Sequence, residues 1–207
     1  RQQDMVDELR ATVTAERLAE VEGQSRGEGL VFVFGMMRSG STLAAQILSR
    51  HPDAVSIGES LIFPRLLERA RDAGYPAGLA EMPSGLLAEL GEAYLDALPP
   101  EARAAPVVVD KELFKFQHLG LVRLMLPGAR LIHTVRDPMD VGFSLWSQSF
   151  AGNHPFAYRL ETIAHFQHLH DEIMAHWQAA MPGAIHTLRY EDMVADPAAE
   201  TARLLEA

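Results

Sequence analysis

Five short apolar runs, at residues 30–34, 54–57, 107–109, 131–135 and 185–188, alternate with longer stretches whose apolar residues recur at helical spacing. This alternation constrains the fold most. A strand followed by a crossover helix returns parallel to its predecessor, and the helices then cover the two faces of the sheet. The helical stretches fall at about 41–50, 60–73, 84–97, 115–126, 138–149 and 156–180, bounded by Pro or Gly. The expected fold class is α/β, a central parallel sheet flanked by helices.

The chain's 207 residues are enough for one domain and little more. Residues 3–22 read as two short helices, with Thr14 as an N-cap before the second and Gly23 as its stop. Eighteen Lys and Arg stand against 28 Asp and Glu, a net charge of −10. A sequence-independent grip on nucleic acid or anionic membrane would therefore need a local basic patch, and no nucleic-acid partner is expected. With no cysteine there is no disulfide, thiolate metal site or cysteine nucleophile. The longest uncharged stretch near the start, 29–37, is too short for a membrane span or a secretory signal, and a cytoplasmic location is expected. The first residue is Arg, and the final helical pattern stops without Gly or Pro, as expected of a segment of a longer polypeptide.

Each apolar run leads into a polar cluster: Gly35-Met-Met-Arg38-Ser39-Gly40-Ser41-Thr42, Gly58-Glu59, Asp110-Lys111, Arg136-Asp137 and Arg189-Tyr190-Glu191. Parallel strands end on one edge of their sheet, where ligands of open α/β folds bind, so five separated clusters would meet in one cleft. The plainer reading is that charged residues mark where each strand meets solvent.

The first cluster has the strand, glycine-rich turn and helix start of a phosphate-binding loop, in which backbone amides at a helix N-terminus point at an anion. Its spacing from Gly35 to Gly40 matches G-x-x-x-x-G-K-[ST], but Ser41 stands where that pattern has lysine. The β/γ-phosphate clamp of an ATP user is therefore missing, and Arg38 is the one cation inside the turn. A tight turn with an incidental Arg is the alternative. The fold is thus expected to be P-loop-NTPase-like, with three layers. Asp110 could pass for a magnesium-holding aspartate, but Lys111 beside it fits a metal-free site better. In the fourth cluster Asp137 is a natural N-cap, Pro138 suits the first helical position, and Asp140 is placed to close a capping box. Arg136 precedes that helix and Ser144 lies about two turns in, so together they can hold a second phosphate; Ser144 alone reads as an ordinary helical serine.

These residues resemble the sulfotransferases that use 3′-phosphoadenosine 5′-phosphosulfate (PAPS). The nearest resemblance is to the bacterial group with tetratricopeptide repeats before the catalytic domain, and more distantly to the tyrosylprotein sulfotransferases. The 5′-phosphosulfate loop of that family is similar to Gly35 through Leu43, continued by Gln46-Ile-Leu-Ser-Arg-His-Pro52 and Gly58-Glu59. Its 3′-phosphate motif is similar to Arg136 through Ser144, and His176-Trp177, Met181-Pro-Gly183 and Arg189-Tyr-Glu-Asp192 also look familial. The resemblance implies that Arg38, Ser39, Gly40, Ser41 and Thr42 hold the 5′-phosphosulfate, that Arg136 and Ser144 hold the 3′-phosphate, and that Tyr190 touches the nucleotide. It also implies Glu59 as base and Lys111 as support for the transferred group. PAPS is the implied co-substrate, with no metal, and the partner is a hydroxyl-bearing acceptor: protein tyrosine, carbohydrate or small molecule. Residues 1–28 would then be a helical lead-in and 29–207 the catalytic domain without its C-terminal part. The chain departs from the family at Met37, where proline is usual, and at Ser60, where the tyrosylprotein branch has a second glutamate.

The implied chemistry is in-line transfer of a sulfuryl group, with Arg38 and Lys111 facing the charge on the leaving group and Glu59 taking the acceptor proton, its pKa raised in a partly dry cleft. A helix-start carboxylate is the alternative for Glu59. An ATP-dependent P-loop kinase and a catalytically inactive nucleotide-binding module are the rival functions. His165, His168 and Glu172 share one helix face with zinc-ligand spacing, but read as polar residues of a long amphipathic helix. Trp146, Phe150, Phe156, Phe166 and Trp177 read as packing aromatics.

Overall fold

A computed structural model describes residues 2–148 and 154–207, so Phe150 lies outside the described residues. In chain order the elements are α1 (Gln2–Thr12), α2 (Ala15–Ala19), β1 (Leu30–Gly35), α3 (Ser41–Leu48), β2 (Ala54–Gly58), α4 (Ile62–Asp72), α5 (Ser84–Asp96), α6 (Pro100–Arg103), β3 (Val107–Lys111) and α7 (Leu119–Met125). Then follow β4 (Arg130–Val135), α8 (Pro138–Trp146), α9 (Leu160–Ala180), β5 (Ile185–Arg189), α10 (Tyr190–Ala195) and α11 (Pro197–Glu206). Thr14 caps α2 as its sequence suggests, its hydroxyl accepting from the Arg17 amide.

The five strands form one parallel sheet in the order β2-β3-β1-β4-β5. After β1 the chain passes to one side of the sheet, and after β3 it crosses to the other. The carboxyl end of β1 is therefore the switch point at which such folds open a crevice. Strand β1 is buried along its whole length and its side chains alternate between two cores. Leu30, Phe32 and Phe34 face the larger core, where α1, α4, α5, α7 and α9 contribute Leu9, Phe63, Leu90, Leu121 and Trp177. Val31 and Val33 face the smaller one, with Ala44 and Leu48 of α3, Met193 of α10 and Leu204 of α11. These are the three layers expected, a sheet between two sets of helices.

Two expected helices begin differently. Residues 113–118 form a 3-10 segment before α7, because the indole N–H of buried Trp177 donates to the Phe116 carbonyl at 2.8 Å and takes an acceptor that an α-helical turn would use. Residues 155–158 are also 3-10, and extended Arg159 separates them from α9. Among the described residues no helix is long and apolar enough to cross a membrane.

Candidate active site

The turn after β1 is held by glycine at both ends. A Cβ on Gly35 would lie 2.4 Å from the Thr134 carbonyl oxygen, so only glycine lets β1 and β4 run this close. Gly40, at φ 101, caps α3 without a side chain, and its own Cβ would lie 2.9 Å from Cδ2 of Tyr190. The first-turn amides of α3 have no intrahelical acceptors and no side-chain cap, which leaves them to an outside anion. Between the glycines, Ser39 is buried; its hydroxyl donates to the Met36 carbonyl at 2.6 Å and shares a 2.7 Å hydrogen bond with Thr134 Oγ1. Ser41 is buried at the start of α3 and Thr42 is exposed beside it.

Arg38 is the one non-glycine with positive φ, 70°, among the described residues. A left-handed L-residue is costly, and such strain collects at ligand sites. Its Nε donates to Ser144 Oγ at 3.0 Å, so the turn after β1 touches the helix after β4 directly.

On the β4 side, Asp137 caps α8, accepting from the amides of Met139 at 2.8 Å and Asp140 at 3.3 Å, with Pro138 at the first helical position. The expected capping box does not form. The Asp137 amide instead donates to Glu191 Oε1 at 2.7 Å, and Asp140 turns to Arg136, 3.3 Å away. Aspartate is one methylene shorter than the glutamate such a box prefers, while parallel pairing brings Glu191 from the end of β5. That carboxylate is held below its ordinary range chiefly by the hydrogen bond from the Asp137 amide.

The Arg136 guanidinium lies over the Tyr190 ring, 4.5 Å from its centroid. Tyr190 thus packs between Gly40 of the first turn and Arg136 of the second motif. Nε of Arg136 is buried without a hydrogen-bond partner, so the guanidinium holds unused donor capacity.

Glu59 and Lys111, at the ends of β2 and β3, form an ion pair. Glu59 is open to solvent, its side chain 60% exposed, and the partly dry cleft foreseen for it is not seen there. All ten residues singled out from the sequence therefore stand at the carboxyl edge of the sheet. A hollow of about 1260 Å³ lies at the opposite edge beside Gly29, Val107, Arg130 and Ile185, and none of the ten lines it.

A buried network beneath the Glu59–Lys111 pair escaped the sequence reading. Asp110 and Lys115 are both fully buried, with Nζ 3.2 Å from Oδ2. Ser60 Oγ donates to the same oxygen at 3.0 Å, and so does the Tyr94 hydroxyl. The ammonium sits 4.0 Å from the Phe32 ring centroid and 5.3 Å from that of Phe63. Burial pushes the Lys115 ammonium below its usual range, against the pull of Asp110, and pushes the neighbouring Glu112 carboxyl up. The signal available was compositional: Lys111 and Lys115 are the only lysines in the chain.

The packing aromatics divide. Trp177 and Phe166 are buried, and Phe156 stacks on Phe166 with centroids 4.1 Å apart. Trp146 instead is 55% exposed, sharing an outer face of α8 with Met139 and Phe143, so it is not a core residue. The helical spacing marked an apolar face but could not show that it stays uncovered among the described residues. His165 is exposed, and His168 lies 3.7 Å from Glu172. Among the described residues no group of three His, Asp or Glu side chains is placed to hold a metal ion.

Comparison with known proteins gives the family and supports the fold. A model of the sulfotransferase family matches residues 31–207. A protein of Aquifex aeolicus without an assigned function is 34% identical over 188 residues, 85% of this chain and 25% of its own length. A putative protein-tyrosine sulfotransferase of Caenorhabditis briggsae is 30% identical over 126 residues, 58% of this chain and 44% of its own. The chain thus spans between a quarter and a half of these relatives. Among solved structures, sulfotransferase STF9 of Mycobacterium avium aligns over 99% of this chain and 70% of its own, at TM-score 0.57 and 18% identity. Sulfotransferase STF1 of Mycobacterium tuberculosis aligns over 96% and 71%, at TM-score 0.52 and 15% identity. At these identities the two structures speak for the fold alone. With the family model spanning all five strands and every polar cluster at their ends, the chain belongs to the sulfotransferase family.

Proposed function

We propose that the chain transfers a sulfuryl group from PAPS to an acceptor hydroxyl. The observation that carries this reading is the joining of two anion grips at one sheet edge, by the 3.0 Å bond from Arg38 to Ser144 and by Tyr190 packed between Gly40 and Arg136. Two distinct grips, each with its own arginine, suit a ligand with two anionic groups better than a single triphosphate chain. Ser41 in the lysine position weakens the case for an ATP user.

The residues present fit the donor. The uncapped amides of α3, with Arg38, Ser39, Gly40, Ser41 and Thr42, would hold the 5′-phosphosulfate. Arg136, with its unpartnered Nε, and Ser144 would hold the 3′-phosphate, and Tyr190 would steady the nucleotide. When bound, PAPS supplies an activated sulfuryl group whose bond to the 5′-phosphate breaks as the acceptor O–S bond forms. Glu59 takes the acceptor proton, and Arg38 and Lys111 face the charge left on the phosphate. In this scheme Arg38 and Lys111 supply the positive charge at the leaving phosphate. The protein-tyrosine sulfotransferase named among the relatives supports a hydroxyl acceptor.

The experiment pairs Glu59→Gln with the native chain. Turnover of labelled donor against phenolic and carbohydrate acceptors should vanish while the desulfated nucleotide, 3′-phosphoadenosine 5′-phosphate, still binds. Intact turnover, or lost binding, refutes the assignment.

A further inference from the structure

An ion pair whose carboxylate is open to solvent, as Glu59 is beside a Lys111 side chain only 14% exposed, does not fix its own geometry. Two long side chains held only by each other gain little and lose rotamer freedom. Glu59 is 60% exposed, yet it meets Lys111 from a strand end of its own, after Gly58 at φ 64 and a break in the β2–β3 register between Ser56 and Gly58. Something else must hold the two strand ends in place. The residue after Glu59 is Ser60 and the residue before Lys111 is Asp110, and these neighbours are joined by the 3.0 Å hydrogen bond from Ser60 Oγ to Asp110 Oδ2.

We infer that Asp110 and Lys115 are a buried positioning pair that acts through Ser60 to fix the Glu59–Lys111 pair above it. The inference rests on the function proposed above for the significance of that outer pair, but its geometry stands on this chain alone. Asp110 Oδ2 accepts from Tyr94 and Ser60 and pairs with the Lys115 ammonium 3.2 Å away, three partners from three segments of chain. Two of them hold the carboxylate, and the third transmits its position to the turn that carries Glu59. Lys115 is itself held among the rings of Phe32, Phe63 and Tyr94, so the anchor belongs to the packed core and not to the surface. Lysine suits this place and arginine does not. A compact ammonium can point at one oxygen from among three rings, whereas a planar guanidinium needs more acceptors than the site offers. The chain uses arginine for its 16 other cationic side chains and lysine only at positions 111 and 115.

The same composition supplies a direct test. An amine-reactive acetylating reagent has only two lysine targets in this chain, and Lys115 is buried. The labelling rate of Lys111, read by mass spectrometry, therefore reports how firmly Lys111 is held against Glu59, with Glu59→Gln marking the released limit. Ser60→Ala should raise that rate at least threefold toward the limit, Ser60→Thr should restore protection, and affinity for 3′-phosphoadenosine 5′-phosphate should stay within twofold in both. Lys115→Met should release Lys111 as Ser60→Ala does; if it fails to fold, the serine variants decide alone. Folded Ser60→Ala that labels at the wild-type rate overturns the inference. Labelling needs no nucleotide, so a wild-type chain that binds none would refute the proposed function while leaving this result standing.

Discussion

Replacing Gly40 with alanine tests the joint between the two proposed anion grips. At φ 101 an L-residue costs about 1–2 kcal/mol. For a domain of this size that strain lowers Tm by about 2–8 °C. The added methyl would also lie 2.9 Å from Cδ2 of Tyr190, closer than real Cβ contacts allow, so either the ring or the loop must shift. A shifted ring leaves the Arg136 guanidinium, now 4.5 Å from its centroid, and a shifted loop turns the first amides of α3 away from an anion. Each charge-assisted hydrogen bond lost is worth about 1.5–3 kcal/mol, so affinity for 3′-phosphoadenosine 5′-phosphate should fall at least tenfold by titration calorimetry. Gly183→Ala is the control. It carries similar strain at φ 75 with nothing within 4 Å of its Cβ, and it lies at the opposite edge of the sheet. The control should lose stability and keep nucleotide affinity. If both variants bind as wild type does, Tyr190 is not the joint described.

Lys115→Met leaves the Asp110 carboxylate buried without its cation, and should cost about 3–5 kcal/mol in denaturant unfolding, most of which Asp110→Asn/Lys115→Met should recover; equal losses in the two would show that the charge pair is not what matters. His118 and His133 are depressed to about 3, first by burial, then by Arg71 for His118 and by His170 for His133. The unfolded chain takes up a proton at each below pH about 6.5 that the folded chain refuses, so stability falls as pH drops from 6.5 toward 3, by about 1.4 kcal/mol per pH unit per histidine. His118→Gln should remove one such share of the slope between pH 6 and 4, and an unchanged slope would contradict the assignment. Thr134→Val keeps the shape of β4 but deprives Ser39 of its 2.7 Å partner, and should cost about 1–3 kcal/mol in thermal unfolding; no change would show that bond to be idle.

The strands, the phosphate-type turn and the caps Thr14 and Asp137 were legible because each is a local event: an apolar run, glycines at fixed spacing, a short polar side chain before a helix. The meeting of the five clusters followed from parallel topology alone. What sequence concealed depends on partners distant in the chain. Glu191 displaced Asp140 from the capping box only because β5 pairs with β4. Trp177 bent residues 113–118 into a 3-10 segment from 61 residues away, and with them Lys115 turned into the core. Exposure of Trp146 was hidden for the converse reason: periodicity shows that a helix has an apolar face and not whether another element covers it.

The proposed function requires one nucleotide with an anion at each end to be held by both grips. Titration calorimetry of the native chain in a chelating buffer should show 3′-phosphoadenosine 5′-phosphate binding one to one and at least tenfold more tightly than adenosine 5′-phosphate, and Arg136→Ala should abolish that difference. Equal affinity for the two nucleotides, or binding of ATP only when magnesium is supplied, would contradict the account.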